Sequence, residues 1–599
     1  MHKKLLSLIL ATGLLIGICG CSKGGIPDNG ASGGIKFDEV AGYTEALPQR
    51  LEIADFKYGA EMPYGRYNES GNPDWNARSF AYRAPVYSYV PRFFKGEELE
   101  YKATCDWKSD ESDDDCNYFT VYGSETGGGE GTATADYLLY IPALDEEGAE
   151  FYYGKYPKEY ENYLDLSDYE ALYIDLSSTS SDKKDVEYAI YWKNKGCEPK
   201  LLYEYEGKSG VRQTVEIDIS EIPENERSSL EFLRFEQRIR DISVKSTVTT
   251  RLYNIRAERK APAVTRREEI FGMQVSSEYL GNVLYTKWGA YSASGFYDSS
   301  DKKIKIWYGA GTAECDSSDN IYYTECSDLS KGFSKPKRIT TDDSTGYKLV
   351  DPSGKLKSHD EQIGYGGDPS VVKVNGTYYM YFSALENGLS DGTYTHWNKI
   401  YAATSTDGKI WTVAGVPVDC STGGTLGYGA GSPSVVYKDG EFWMYYYTQA
   451  PDYRYPREAC GLVLKKSADG ITFSEAIEID RSMSTMDVKY IPSLRKWVST
   501  YYAEENQFTA GAKAGIRIAF SDNGVDWDFD HSNDKMIAQN FDYPLNHNPG
   551  FIGNELGQGY ETMFLTYGAN DLPLTVNGYW FSAAQYDARQ LEWSRISIK

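Results

Sequence analysis

From residue 292 to residue 593 the chain repeats one alternation of apolar and polar positions. "GGDPSVVKVNGTYYMYFS" (366–383) reads as two strands joined at Asn375-Gly376, a pair that accepts the positive φ of a tight hairpin. The same pattern recurs in "GSPSVVYKDGEFWMYYYTQ" (431–449) and "MDVKYIPSLRKWVSTYYAE" (486–504). Earlier and later copies are "SASGFYDSSDKKIKIWYGAG" (292–311) and "NHNPGFIGNELGQGYETMFLTYG" (546–568). A third strand follows each hairpin, as in "KIYAATSTDGKIW" (399–411), "GLVLKKSADGITF" (461–473) and "IRIAFSDNGVDW" (516–527). Their Ser-x-Asp-Gly turn lets a short side chain bond its own backbone, while the aromatic that follows packs between strands. Five such copies predict a five-bladed β-propeller over 275–599. Upstream, 36–260 lacks the repeat. "YEALYIDLSS" (169–178), "VEYAIYWKN" (186–194) and "QTVEIDIS" (213–220) alternate as antiparallel strands of a jelly-roll-like β-sandwich. The expected fold class is therefore all-β.

The first 21 residues alter the expected location. "MHKK" is a basic start, "LLSLILATGLLIGI" an apolar run short for a membrane span, and "ICGC" ends it. This resembles a bacterial lipoprotein signal, with cleavage before Cys21 and lipid on its thiol. Residues 22–35 then read as a flexible tether, and the expected location is extracytoplasmic, anchored in the cell membrane by lipid. The formal net charge of -26 argues against nucleic acid as a partner. Aromatics make up 15%, with 53 Tyr, which suits strands and also suits stacking on sugar rings. The acidic stretch "CDWKSDESDDDC" (105–116) is a candidate structural calcium site, against the alternative of a solvated loop. No cofactor is required by anything else in the chain.

Candidate chemistry lies where the first strands of the copies enter a central funnel. Counting ten residues back from the second strands gives Ser294, Asp368, Ser432, Asp487 and, with an insertion, Asn548. Two carboxylates on one rim are what glycoside hydrolysis uses, one donating a proton and one activating water or attacking carbon. "DPSVVKVNGTYYMYFS" and "IYAATSTDGKIW" resemble strands of the five-bladed glycoside hydrolases of family 43 and the related family 32. That resemblance covers the propeller alone. It implies Asp368 as general base and Asp487 as a positioning or pKa-tuning carboxylate. The Glu acid of family 43 has no match at the five rim positions. Glu361, Glu386, Glu458 and Glu504 or Glu505 are the substitutes, and Glu504 is taken because it ends a strand of the fourth copy. Trp288, Tyr365, Trp397 and Tyr428 flank rim strands as sugar platforms, with His547 and Asn548 as polar contacts. The sequence thus predicts a glycosidase acting on plant or microbial glycan, with a carbohydrate substrate and a membrane anchor. The alternative is a surface lipoprotein that binds glycan without cleaving it, and a weaker third reading is a propeller face that binds protein.

Overall fold

A computed structural model describes residues 36–55, most of 166–599, and the backbones of five strands between 86 and 140. Breaks in the second span include 285–289, 311–319, 357–365, 385–397, 420–428, 450–459, 504–512, 539–546 and 581–589. The described residues are nearly all β. The lipoprotein leader, the tether and the acidic residues 110–116 lie outside them. Among the described residues no helix is long and apolar enough to cross a membrane, and no group of His, Cys, Asp and Glu could hold a metal.

Two layers form the N-terminal part. One sheet runs Arg212–Asp218, Ala171–Ser180, Thr247–Arg259, Gln49–Asp55, and the other contains Val186–Asn194 between Leu230–Ile239 and Lys200–Gly207. Alternation sends Leu172, Ile174 and Leu176 of the first and Val186, Tyr188 and Ile190 of the second into one core.

Each repeat forms a set of mainly antiparallel strands, and the first and fifth sets are joined in one sheet. Their inner strands are Tyr291–Asp298, Gly367–Val374, Ala430–Lys438, Met486–Ile491 and His547–Asn554. Each pairs with the strand after it. The fifth sheet is completed from the other end of its region: Met273–Leu284 lies antiparallel to the last strand, Gln590–Ile598. Residues ahead of the first copy therefore close the last one. Lys36–Glu39 belongs with them too, since Phe37 packs on Tyr297, Tyr560 and Phe564 and Glu39 accepts from the Tyr297 hydroxyl at 2.8 Å.

Two of the tyrosines bridge neighbouring repeats. The Tyr381 hydroxyl in the second copy donates to the Gly470 carbonyl in the turn of the third, at 2.8 Å. Tyr445 repeats this to Gly524 of the fourth, also at 2.8 Å. The turns themselves form as the sequence predicts. Asp407 Oδ1 accepts from the amides of Lys409 and Ile410, and the Trp411 indole donates to Gly408. Asp469 does the same with Ile471 and Thr472, and those amides with the Ser467 hydroxyl lower its carboxyl to about 2.

The N-terminal layers meet the repeats at a close seam. Arg50 pairs in parallel with Gly281, whose φ is 89° and whose absent Cβ would lie 1.6 Å from the Arg50 carbonyl oxygen. Both the backbone conformation and the space exclude any other residue. Gly281→Ala is expected to cost more than about 1 kcal/mol and to lower the thermal unfolding midpoint. An unchanged midpoint would show that the seam is not tight.

At the far end of the inner strands sits a buried charge cluster. Asp298, fully buried, accepts from Lys305 at 2.6 Å, Lys373 at 3.0 Å and the Tyr378 hydroxyl at 2.8 Å. Burial alone would push its carboxyl up. The Lys305 and Lys373 ammonium groups and the Ser300 hydroxyl outweigh this and hold it well below the usual range. A carboxylate with a depressed folded pKa stabilises fully above its unfolded value of about 3.9, and that stability is lost as pH falls below it. Asp298→Asn is thus expected to lower stability at pH 7 and to flatten its decline below about pH 4. Parallel curves for the two proteins in chemical unfolding at a series of pH values would contradict this.

Candidate active site

The inner strands are joined by side chains. Ser294 Oγ accepts the Val371 amide at 2.9 Å, Ser370 Oγ the Val435 amide at 3.0 Å, and Ser434 Oγ the Val488 amide at 2.9 Å. Asp487 Oδ2 accepts the Phe551 amide at 2.7 Å. The fifth inner strand returns to the first by parallel pairing of Gly295 with Ile552. Gly550 occupies the linking position there, and a Cβ on it would lie 1.9 Å from the Ala293 carbonyl oxygen.

This register corrects the counted row. The first and fourth hairpins turn through four residues, pairing Asp298 with Lys303 and Ile491 with Lys496. The second and third turn through two, pairing Val374 with Thr377 and Lys438 with Glu441. A fixed count of ten therefore slips by two in the first and fourth copies. The residues equivalent to Asp368 are Ser292, Ser432, Thr485 and Asn548. Ser294 and Asp487 belong to the linking row, with Ser370, Ser434 and Gly550.

Local strain marks the corrected row. Ser292, Asp368, Ser432 and Asn548 have φ of 53°, 48°, 48° and 47°. Each lies where its strand shifts register against its partner, between Gly367 and Ser370 for Asp368. Pro369, Pro433 and Pro549 follow three of them, fixing the bend. A left-handed residue without glycine costs of order 1 kcal/mol or more, and such positions gather at sites.

Asp368 is the single carboxylate of this row. It is 8% exposed. Ser383 and Ser432 donate their hydroxyls to Oδ2 at 3.2 and 3.3 Å, and the Asn548 amide donates to Oδ1 at 3.2 Å. Groups from the second, third and fifth copies thus converge on it. Beside it, Ser292, Ser432, Thr485 and Asn548 line a pit with about 20 Å³ of room, enough for one water. Thr485 Oγ1 and Asn548 Oδ1 are buried there with no hydrogen-bond partner among the described residues. Buried polar atoms without partners are costly, so the pit is built for a polar guest.

Asp487 also lines this pit, but its oxygens have different partners. Lys489 Nζ reaches its two oxygens at 2.8 and 2.7 Å, Ser434 donates at 2.6 Å, and Lys489 is itself buried. With the Phe551 amide, these contacts commit its oxygens to the link between strands.

Glu361, Glu386, Glu458, Glu504, Trp288, Tyr365, Trp397 and Tyr428 lie outside the described residues, as does the side chain of His547. The His547 backbone pairs with Gly568 at the start of its strand. Glu504 follows Ala503, which pairs with Gly515 at the rim end of the fourth sheet. Sequence reasoning missed Ser292, Thr485 and Ser383. Aligning the triads Ser292-Ala293-Ser294, Asp368-Pro369-Ser370, Ser432-Pro433-Ser434, Thr485-Met486-Asp487 and Asn548-Pro549-Gly550 would have found the first two.

No family model matches the chain, and no curated protein matches it. Among solved structures, an N-acetylgalactosamine deacetylase from F. plautii, in complex with blood group B trisaccharide, is 14% identical with a TM-score of 0.36. It covers 56% of this chain and 95% of its own. A family 117 glycoside hydrolase from Zobellia galactanivorans is 12% identical over 54% of this chain and 90% of its own, with a TM-score of 0.36. An α-L-arabinofuranosidase from Lactobacillus brevis is 12% identical over 51% and 90%, with a TM-score of 0.34. Likeness at this level decides nothing about activity.

Asp487→Ala leaves Lys489 buried without its counter-ion and is expected to cost about 3–5 kcal/mol. Asp487→Asn, which keeps an acceptor for the Phe551 amide, should cost less. Denaturant unfolding of both variants checks the order, and equal stability would remove Asp487 from the strand linkage.

Proposed function

We propose that the chain is a glycoside hydrolase acting on plant or microbial glycan, built as a β-sandwich followed by a five-bladed β-propeller. The observation that carries this reading is Asp368, a buried carboxylate oriented by donors from three repeats beside a pit with unpartnered polar atoms. Such a group can take a proton from a water in the pit as that water attacks the anomeric carbon. The water's oxygen then bonds to carbon, the glycosidic bond breaks, and the leaving oxygen needs a proton from a second carboxyl group. We assign that acid to a Glu of the rim segments, first Glu504, then Glu361, Glu386 and Glu458. Asp487 serves the linkage of strands rather than the chemistry. Trp288, Tyr365, Trp397 and Tyr428 are proposed as sugar platforms, with His547 and Asn548 as polar contacts. The leader places the protein outside the cytoplasm on a lipid at Cys21. A structural calcium at 105–116 remains part of the proposal.

A second reading draws on the same row. Four of its five residues are Ser, Ser, Thr and Asn, hydroxyl and amide groups that suit glycan binding without cleavage. The soluble form lacking residues 1–35 separates the two. Screened on aryl-glycosides, arabinan, xylan and microbial polysaccharides, the wild type is expected to hydrolyse at least one. Asp368→Asn should lower kcat/KM by roughly 10²–10⁴-fold with its thermal midpoint kept. Full activity in Asp368→Asn would overturn the assignment, and binding without turnover would favour the second reading.

A further inference from the structure

Away from the pit, the first repeat faces the N-terminal layers across a cleft of about 700 Å³. One wall is the outward face of the sheet formed by Gln49–Asp55, Ala171–Ser180, Arg212–Asp218 and Thr247–Arg259. The other is the turn at residues 325–334 of the first repeat. Two ties fix their separation: the Arg50–Gly281 seam, and the Leu329 amide, which donates to the Ala41 carbonyl at 2.7 Å. The volume falls within the ~300–1,000 Å³ of ligand clefts.

The sheet wall carries preset flat surfaces. The Arg212 guanidinium lies 3.6 Å from the Tyr253 ring centre, and its Nε donates to the Asp175 oxygens at 3.0 and 3.1 Å. With the fork held and the ring beneath, its outer face is presented in one orientation; the side chain is 54% exposed. Arg256 repeats the arrangement over Tyr173 at 4.7 Å, held by Glu258 at 2.7 Å. Across the cleft, Ser327 and Lys331 are exposed on the turn.

Charge narrows the ligand. The four cationic side chains of the lining are matched by four carboxylates, so the cleft offers no net attraction to an anion. Alternating donors and acceptors around stacked planes fit an uncharged chain of hydroxyl groups. We propose that this cleft binds a short neutral segment of the glycan, so that a polymer engages the protein at the cleft as well as at the pit. Only the chemical class of the ligand rests on the glycan reading above.

The test is calorimetric binding of arabino- and xylo-oligosaccharides and their soluble polymers to the full-length chain in detergent. Arg212→Ala removes one platform, and Ser327→Trp fills the cleft from an exposed turn where folding is not at stake. Each is expected to weaken polymer binding at least tenfold, whereas Glu475→Gln, an exposed position of the third repeat outside both cleft and pit, keeps it within about twofold of wild type. Affinities of the two cleft variants within twofold of wild type, or no polymer binding by the wild type, would overturn the proposal. Absence of turnover in the wild type, with binding lost in the cleft variants, would sink the catalytic reading and leave this one standing.

Discussion

Neighbouring inner strands of the repeats are held together by a side chain that accepts the next strand's amide. Ser294, Ser370, Ser434 and Asp487 make four such links, and the fifth is a direct backbone pairing in which Gly550 leaves room for Ala293. Strands linked this way approach closely at one end while their outer partners splay apart. Everything placed at that end follows from the link. In the first three copies the strand bends to present the linking hydroxyl inward, and the residue two positions earlier lies in the left-handed region; the fourth links through Asp487 without that bend.

The chemistry sits on the strained residue and the stability on the linking one. Asp368 and Asp487 show the division. The first is oriented by hydroxyls and an amide from three repeats beside a partly unsatisfied pit. The second is neutralised by Lys489 and committed to a backbone amide. A carboxylate that must exchange a proton cannot also be the counter-ion that keeps a lysine buried, because protonation would strand the lysine.

Much of this architecture is legible in the sequence, because alternation, Asn-Gly and Asp-Gly turns and the Ser-x-Asp-Gly motif are local features. Gly376 and Gly440 set two-residue hairpins, and Asp407 and Asp469 bind the amides that their turns leave exposed. That Asp368 and Asp487 occupy different rows is not local information. It depends on hairpin length, and the four-residue turns at 299–302 and 492–495 move the register by two without changing the visible pattern. Likewise, nothing near Met273–Leu284 says that it completes the last sheet, since its partner lies over three hundred residues away. The cleft walls are equally distant in sequence, and Arg212 over Tyr253 reads in the chain as two ordinary strand residues.

The most direct measurement of the central claim is a crystal structure of Asp368→Asn with an oligosaccharide bound. The expected result is a sugar seated over the pit, with its anomeric carbon one water away from the residue at 368 and its ring framed by Ser292, Ser432, Thr485 and Asn548. A sugar bound with no contact to this row, or a pit sealed by its own neighbours, would contradict it.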